Sequence, residues 1–142
     1  MSAALHLIAG IAGRTVAFDS AAVQSVVDID IVVPTPRAEP GVVGIAALRS
    51  RVVTVIDPAV MLGAARSTAD VGRAVVTTID GHCYAILVDW LNDIAEHDIA
   101  PTPAGIALEA GWGRASLGMI DRGGEPVVVL DPVKLIPHAS FA

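Results

Sequence analysis

Short runs rich in Val and Ile, separated by turn signals at close intervals, predict an all-β chain folded as a barrel or a sandwich. A repeated stretch predicts that it holds two similar subdomains. Val53-Thr54-Val55-Ile56-Asp57-Pro58-Ala59-Val60-Met61-Leu62 returns near the end as Val127-Val128-Val129-Leu130-Asp131-Pro132-Val133-Lys134-Leu135-Ile136, a shift of 74 residues (131 − 57 = 74). A second match sets Gly13 on Gly81 (81 − 13 = 68) and pairs Ala17 with Ala85, Phe18 with Ile86, Val23 with Leu91 and Val26 with Ile94. Together the two matches predict one domain over residues 1–142 made of two interleaved subdomains, with repeat halves at about 14–62 and 82–136. Related halves with apolar walls leave a seam between them, a common place for binding.

The elements follow in order. Ala4 to Ile11 reads as a strand, and Gly10 and Gly13 bracket a turn into a second one over Thr15 to Phe18. Ala21 to Val27 is a short apolar piece with a helical reading. Pro34, Pro36 and Pro40 with Gly41 make a loop, because proline removes ladder donors and restricts the residue before it. Val43 to Leu48 and Val52 to Ile56 flank Arg49-Ser50-Arg51 as a hairpin, and Ala64 to Gly72 is a small-residue loop. Arg73 to Ile79 and Cys83 to Val88 surround Asp80-Gly81, a strong hairpin signal because both central residues of the favoured turn need positive φ. Asp89 to His97 fits either an extended strand or a short helix, and Pro101 to Gly113 reads as a loop. Ala115 to Ile120 and Val127 to Leu130 form a last hairpin around Arg122-Gly123-Gly124. Each copy of the longer repeat reads as strand, Asp-Pro, short apolar helix: the aspartate accepts a hydrogen bond as N-cap, and proline at the first helical position forgoes an amide with no helical partner.

Composition narrows the function. The 142 residues are 54% hydrophobic but only 4% aromatic, so the core is built from small and β-branched side chains. A net charge of −6 with a single lysine, and no basic cluster able to neutralise several phosphates, argues against a nucleic-acid partner. The lone Cys83 has no disulfide partner and the start MSAALHLIAG lacks a basic n-region, so a cytoplasmic location is expected. No apolar run reaches the roughly 18 residues a membrane-spanning helix needs, so no direct membrane insertion is expected. The acidic excess, at Asp28, Asp30, Asp93, Glu96 and Asp98, reads as a solvated face.

Catalytic readings find little support. Gly10 to Thr15 has the wrong spacing for a phosphate loop. His6, His82, His97 and His138 lack the short paired spacings of a metal site, and Cys83 has neither a second thiol nor a local base. Asp57 and Asp131 could be a carboxylate pair, but capping accounts for both. No catalytic residue, metal or cofactor is expected.

The segment Gly41-Val-Val-Gly44-Ile-Ala-Ala47-Leu48-Arg49-Ser50-Arg51-Val-Val-Thr-Val-Ile-Asp57, followed by Val88-Asp89-Trp90-Leu91-Asn92-Asp93-Ile94, resembles the CheW family, the adaptors of bacterial chemosensory arrays. The likeness runs from about Leu5 to Ile136. It implies two small five-stranded β-barrels of SH3-like type with short helices and a hydrophobic seam. It also implies a non-catalytic role: coupling the cytoplasmic tip of methyl-accepting chemoreceptors to the regulatory domain of a CheA-type histidine kinase, at membrane-associated arrays. By position, Arg49 matches the family arginine of the hairpin, able to form bidentate hydrogen bonds. Val23, Val26, Val88, Leu91 and Ile94 match apolar positions bordering the receptor groove, and Trp90, in a variable slot, is a candidate contact anchor. The chain departs from the family pattern at Ala47, Ser50 and Thr54, where Asn, Gly and Pro are usual. Serine tolerates positive φ less well than glycine. Two alternatives stand beside this reading: an adaptor of a twitching or other chemosensory pathway, and a small-molecule-binding or enzymatic β-barrel that uses the seam.

Overall fold

A computed structural model describes residues 4–64, 72–102 and 106–137. Among them the strands are β1 (Ala4–Ile11), β2 (Arg14–Asp19), β3 (Ser25–Ile29), β4 (Val42–Leu48), β5 (Arg51–Ile56), β6 (Gly72–Ile79), β7 (His82–Leu87), β8 (Trp90–His97), β9 (Ser116–Arg122) and β10 (Glu125–Leu130). One short helix, α1 (Ala110–Ala115), precedes β9, and 3-10 turns cover Ser20–Ala22 and Pro132–Leu135. The strands form two five-stranded sheets in the orders β8-β1-β2-β10-β9 and β3-β6-β7-β5-β4. The chain is all-β, as its turn spacing predicts.

The repeat is visible in the ladders. In one sheet β5 runs parallel to β7, with Val55 opposite Ala85; in the other β10 runs parallel to β2, with Val129 opposite Ala17. These four residues are the two repeat pairs, Val55 with Val129 and Ala17 with Ala85. The sheets themselves do not coincide with the halves 14–62 and 82–136. Each takes strands from both, because β1 and β2 join β8, β9 and β10, while β3, β4 and β5 join β6 and β7.

Each sheet is closed by one isolated bridge, Val33 to Ile45 after β3 and Ala100 to Met119 after β8. Closure depends on a bare backbone. A Cβ on Gly44 would land on the Val33 carbonyl oxygen, and one on Gly118 would land on that of Ala100.

Strand alternation then builds three cores. Val53, Val55, Val76 and Ala85 fill the β3–β7 sheet, and Ile8, Ala17, Val127 and Val129 fill the other. Residues of opposite parity, among them Leu7, Phe18, Ile56, Val75, Ile86 and Leu130, meet in a third, shared core between the sheets. Central strands are therefore buried on both faces, which is why they read as unbroken apolar runs.

Two local expectations are corrected and one open alternative is resolved. The helical reading of Ala21–Val27 shrinks to the 3-10 turn, capped by Asp19 Oδ1 on the Ala21 amide at 2.9 Å; from Ser25 the β-branched Val26 and Val27 pair with Val75 and Ala74 instead. Asp89–His97 resolves to strand from Trp90. The loop reading of Pro101–Gly113 misses α1, whose Gly111 packs so tightly that a Cβ would lie 2.7 Å from the Leu62 carbonyl oxygen. The small-residue loop falls mostly outside the described residues, at 65–71.

Candidate functional site

The apolar residues singled out from the sequence flank the shared core in equivalent pairs. Val26 lies opposite Val75 on β6, and Ile94 lies opposite Leu7 on β1. Partners in an antiparallel pair share a face, and Val75 and Leu7 both point into the shared core. Val26 and Ile94 therefore carry that apolar surface out to β3 and β8, the edge strands of the two sheets, where both are exposed. Val23 and Leu91 sit inward of them, partly buried against the same core. The structure thus assigns the 68-residue repeat to two matching borders, one on each sheet.

Val88 is different. It is buried within the shared core and supports the border from behind, with little surface left for a partner.

Trp90 opens β8 opposite Gly10, and its indole lies across that glycine where a Cβ would collide with the ring. The missing side chain gives the ring its seat, and the remaining part of the indole is solvent-exposed. Neighbouring hydrogen bonds fix the corner: the Asp89 amide donates to the Gly10 carbonyl at 2.7 Å, and the Gly13 amide donates to Asp89 Oδ2 at 3.2 Å.

Arg49 stands apart from these borders, exposed at the tip of the β4–β5 hairpin with φ 38°. Positive φ falls on Arg49 rather than on Ser50, so the departure from glycine at Ser50 costs the turn nothing in that respect. Ala47 is exposed and Thr54 half-buried, on the outer face of the same hairpin.

Each of the two aspartates caps its own turn. Asp57 Oδ1 accepts from the Ala59 amide and Asp131 Oδ1 from the Val133 amide, each at 3.1 Å, so each caps the turn after its own strand. Their own amides donate to Gly41 and Ala115, again at matched distances of 2.8 Å. The second copy continues as a 3-10 turn, whereas the first forms irregular hydrogen-bonded turns, with Leu62 N donating to the Pro58 carbonyl at 3.2 Å. There α1 intervenes: Arg114 Nη2 donates to the Met61 carbonyl at 3.3 Å.

Cys83 is half-buried, with Thr78 Oγ1 at 3.5 Å and Arg51 Nη1 at 3.6 Å from its sulfur. His6 is buried, its Nδ1 3.0 Å from the Ala4 carbonyl oxygen, and it meets the His97 ring edge-on at 6.2 Å; His138 lies outside the described residues. Trp112, for which the sequence offered no role, is buried on α1 beneath the Arg14 guanidinium, 4.4 Å from the ring centre.

No curated protein matches the chain. Among solved structures, the scaffolding protein TtCheW from Thermoanaerobacter tengcongensis is similar in fold, with a TM-score of 0.79 at 18% identity, covering 96% of this chain and 89% of that one. The family model for the CheW-like domain matches residues 6–140. With that match spanning nearly the whole sequence, over two linked five-stranded sheets of the same design, the chain belongs to the CheW-like domain family.

Proposed function

We propose that this protein is a non-catalytic chemotaxis adaptor that couples the cytoplasmic tip of a chemoreceptor to the regulatory domain of a CheA-type histidine kinase. The observation that carries the reading is the paired apolar border. Val26 and Ile94 are exposed at repeat-equivalent positions, each continuous with the shared core and each on an edge strand. Such a surface suits the apolar face of a helical hairpin; Trp90, whose partner Gly10 is of opposite parity to Leu7 and Ala9, offers a seated aromatic anchor on the other face of β8. Arg49 supplies a charged contact for a receptor carboxylate or backbone.

The small-molecule reading of the seam has less in its favour, because side chains from both sheets pack into that space.

The test is a binding titration with a receptor signalling-tip fragment, paired with capture of the kinase regulatory domain from the same cell. Arg49→Ala keeps the Cβ at the positive-φ position and removes the guanidinium with its aliphatic stem. It should weaken receptor binding by roughly 1.5–3 kcal/mol, the range for hydrogen bonds to charged groups, while the unfolding midpoint stays unchanged. Unchanged binding would take Arg49 out of the site, and failure to capture either partner would refute the adaptor reading.

A further inference from the structure

His6 and His97 meet across a ladder although 91 residues separate them in sequence (97 − 6 = 91). β1 pairs with β8 so that His6 lies opposite Ala95 and His97 lies opposite Ala4. Positions two apart on a strand share a face, so the two imidazoles stand on one side of the sheet as diagonal neighbours. Their ring centroids are 6.2 Å apart, with the planes at 66°. His6 is buried and His97 half-buried.

Packing does not call for polar groups at this place. The 68-residue repeat sets His6, Asp19, Ala95 and His97 on Ala74, Leu87, Val27 and Ile29, which hold the same ladder positions in the other sheet. There all four are apolar and belong to one core. A buried imidazole is a costly replacement for such side chains unless its nitrogens have partners.

Each ring commits one nitrogen to the backbone. His6 Nδ1 lies 3.0 Å from the Ala4 carbonyl oxygen, and His97 Nδ1 lies 3.3 Å from that of Ala95. A carbonyl only accepts, so Nδ1 carries the proton and Nε2 holds the lone pair in each neutral ring. Metal-binding histidines are held in this way, with a carbonyl fixing the tautomer and the direction of the ring. Two imidazoles bound through Nε2 to one tetrahedral ion, each at about 2.0–2.1 Å, have centroids roughly 5 Å apart. Closing the pair from 6.2 Å takes a movement of about 1 Å, open to the half-buried His97, whose Nδ1 contact is the longer of the two. Asp19, opposite His6 on β2, adds a carboxylate on the same face, with Oδ1 engaged by the Ala21 amide.

We propose that His6 Nε2 and His97 Nε2 form a bis-imidazole site for a divalent transition-metal ion, zinc or copper(II), which ties the end of β8 to β1. No third side chain completes the set among the described residues, so water fills the other coordination positions. Because β8 also carries Ile94, three residues before His97, an ion bound here fixes the strand that holds one of the two apolar borders. The site goes beyond the adaptor reading and does not depend on it.

The experiment uses the full chain without an affinity tag, stripped of metal with a chelator and titrated with zinc chloride by calorimetry. One ion per chain should bind saturably below millimolar zinc, and copper(II) should bind more tightly than zinc. Affinity should fall by about tenfold or more between roughly pH 7.5 and pH 5.5, because ligating imidazoles must be neutral. Saturating zinc should raise the unfolding temperature by several degrees. His97→Gln should abolish both the binding and this rise while keeping the circular dichroism of the metal-free chain. The copper(II) electron paramagnetic resonance spectrum should show two imidazole nitrogens, a readout of His6 that stands even where His6→Gln fails to fold. His82→Gln, on an exposed ring of β7, is the control with unchanged binding. No saturable binding up to millimolar zinc, binding that survives His97→Gln, or binding lost with His82→Gln would overturn the proposal. Receptor-tip binding by the metal-free chain is a separate measurement, so a failure here is distinct from a failure of the adaptor reading.

Discussion

Asp57 and Asp131 do the same work in different surroundings, and the difference sets their energetic weight. Both accept from the amide two residues on at 3.1 Å, but Asp57 is buried while Asp131 is partly exposed. Losing a cap costs about 0.5–2 kcal/mol, and leaving a buried donor unsatisfied adds a desolvation penalty of about 1–3 kcal/mol. Asp131→Ala is therefore expected to lower stability within the capping range and Asp57→Ala to exceed it, with Asp57→Asn recovering part of the loss because its amide oxygen still accepts. Urea unfolding of the three variants measures this; equal losses for the two alanines would show that burial adds nothing. The capping role was legible from Asp-Pro alone, because the motif is local. The conformation of the β4–β5 turn was not, since the choice between Arg49 and Ser50 for positive φ depends on how two paired strands twist into the turn.

Among the elements, hairpins were read well and short helical pieces poorly. Asp80 and Gly81 both adopt positive φ, at 51° and 81°, as their turn chemistry requires. By contrast α1 has six residues, two of them glycine, and no periodicity could reveal it; packing on the Met61–Leu62 backbone accounts for it instead. Its anchor is Trp112, buried under Arg14, which also reaches Glu109 at 3.3 Å. That ion pair is exposed on both sides and contributes at most about 1 kcal/mol. Trp112→Ala is expected to cost about 3–5 kcal/mol, the range for deleting a buried large aromatic. Glu109→Gln should be nearly neutral and insensitive to salt. Thermal unfolding at two ionic strengths checks both; a large, salt-dependent loss for Glu109→Gln would shift the anchoring role from the indole to the ion pair. The pairs Val23 with Leu91 and Val26 with Ile94 were legible through the 68-residue repeat, but the exposure of Val26 and Ile94 was not. Val88 reads like Val26 in sequence, and only the burial of its strand end in the shared core separates them.

At the scale of the molecule, the repeat and an interleaving of the two subdomains were expected while the strands that cross were not, because similarity between halves carries no record of which half each strand pairs with. The consequence is a fold in which neither half completes a sheet. Residues up to Ala64 contain β1 to β5, and those from Gly72 onward contain β6 to β10. The ladders β1–β8, β2–β10, β3–β6 and β5–β7 all cross between them. Within the first half, among the described residues, only the β1–β2 and β4–β5 hairpins and the Val33–Ile45 bridge remain as strand pairings, and isolated two-stranded hairpins are marginal in water. The shared core is divided as well, with Phe18 and Ile56 on one side of the cut and Ile86 and Leu130 on the other. Two fragments, one ending at Ala64 and one beginning at Gly72, should each be unfolded alone and should assemble when mixed into a complex with the circular dichroism of the intact chain. Assembly should follow second-order kinetics and saturate at one to one. A fragment that melts cooperatively by itself would show that one sheet can form without strands from the other half, and would refute this account of how the two sheets are held together.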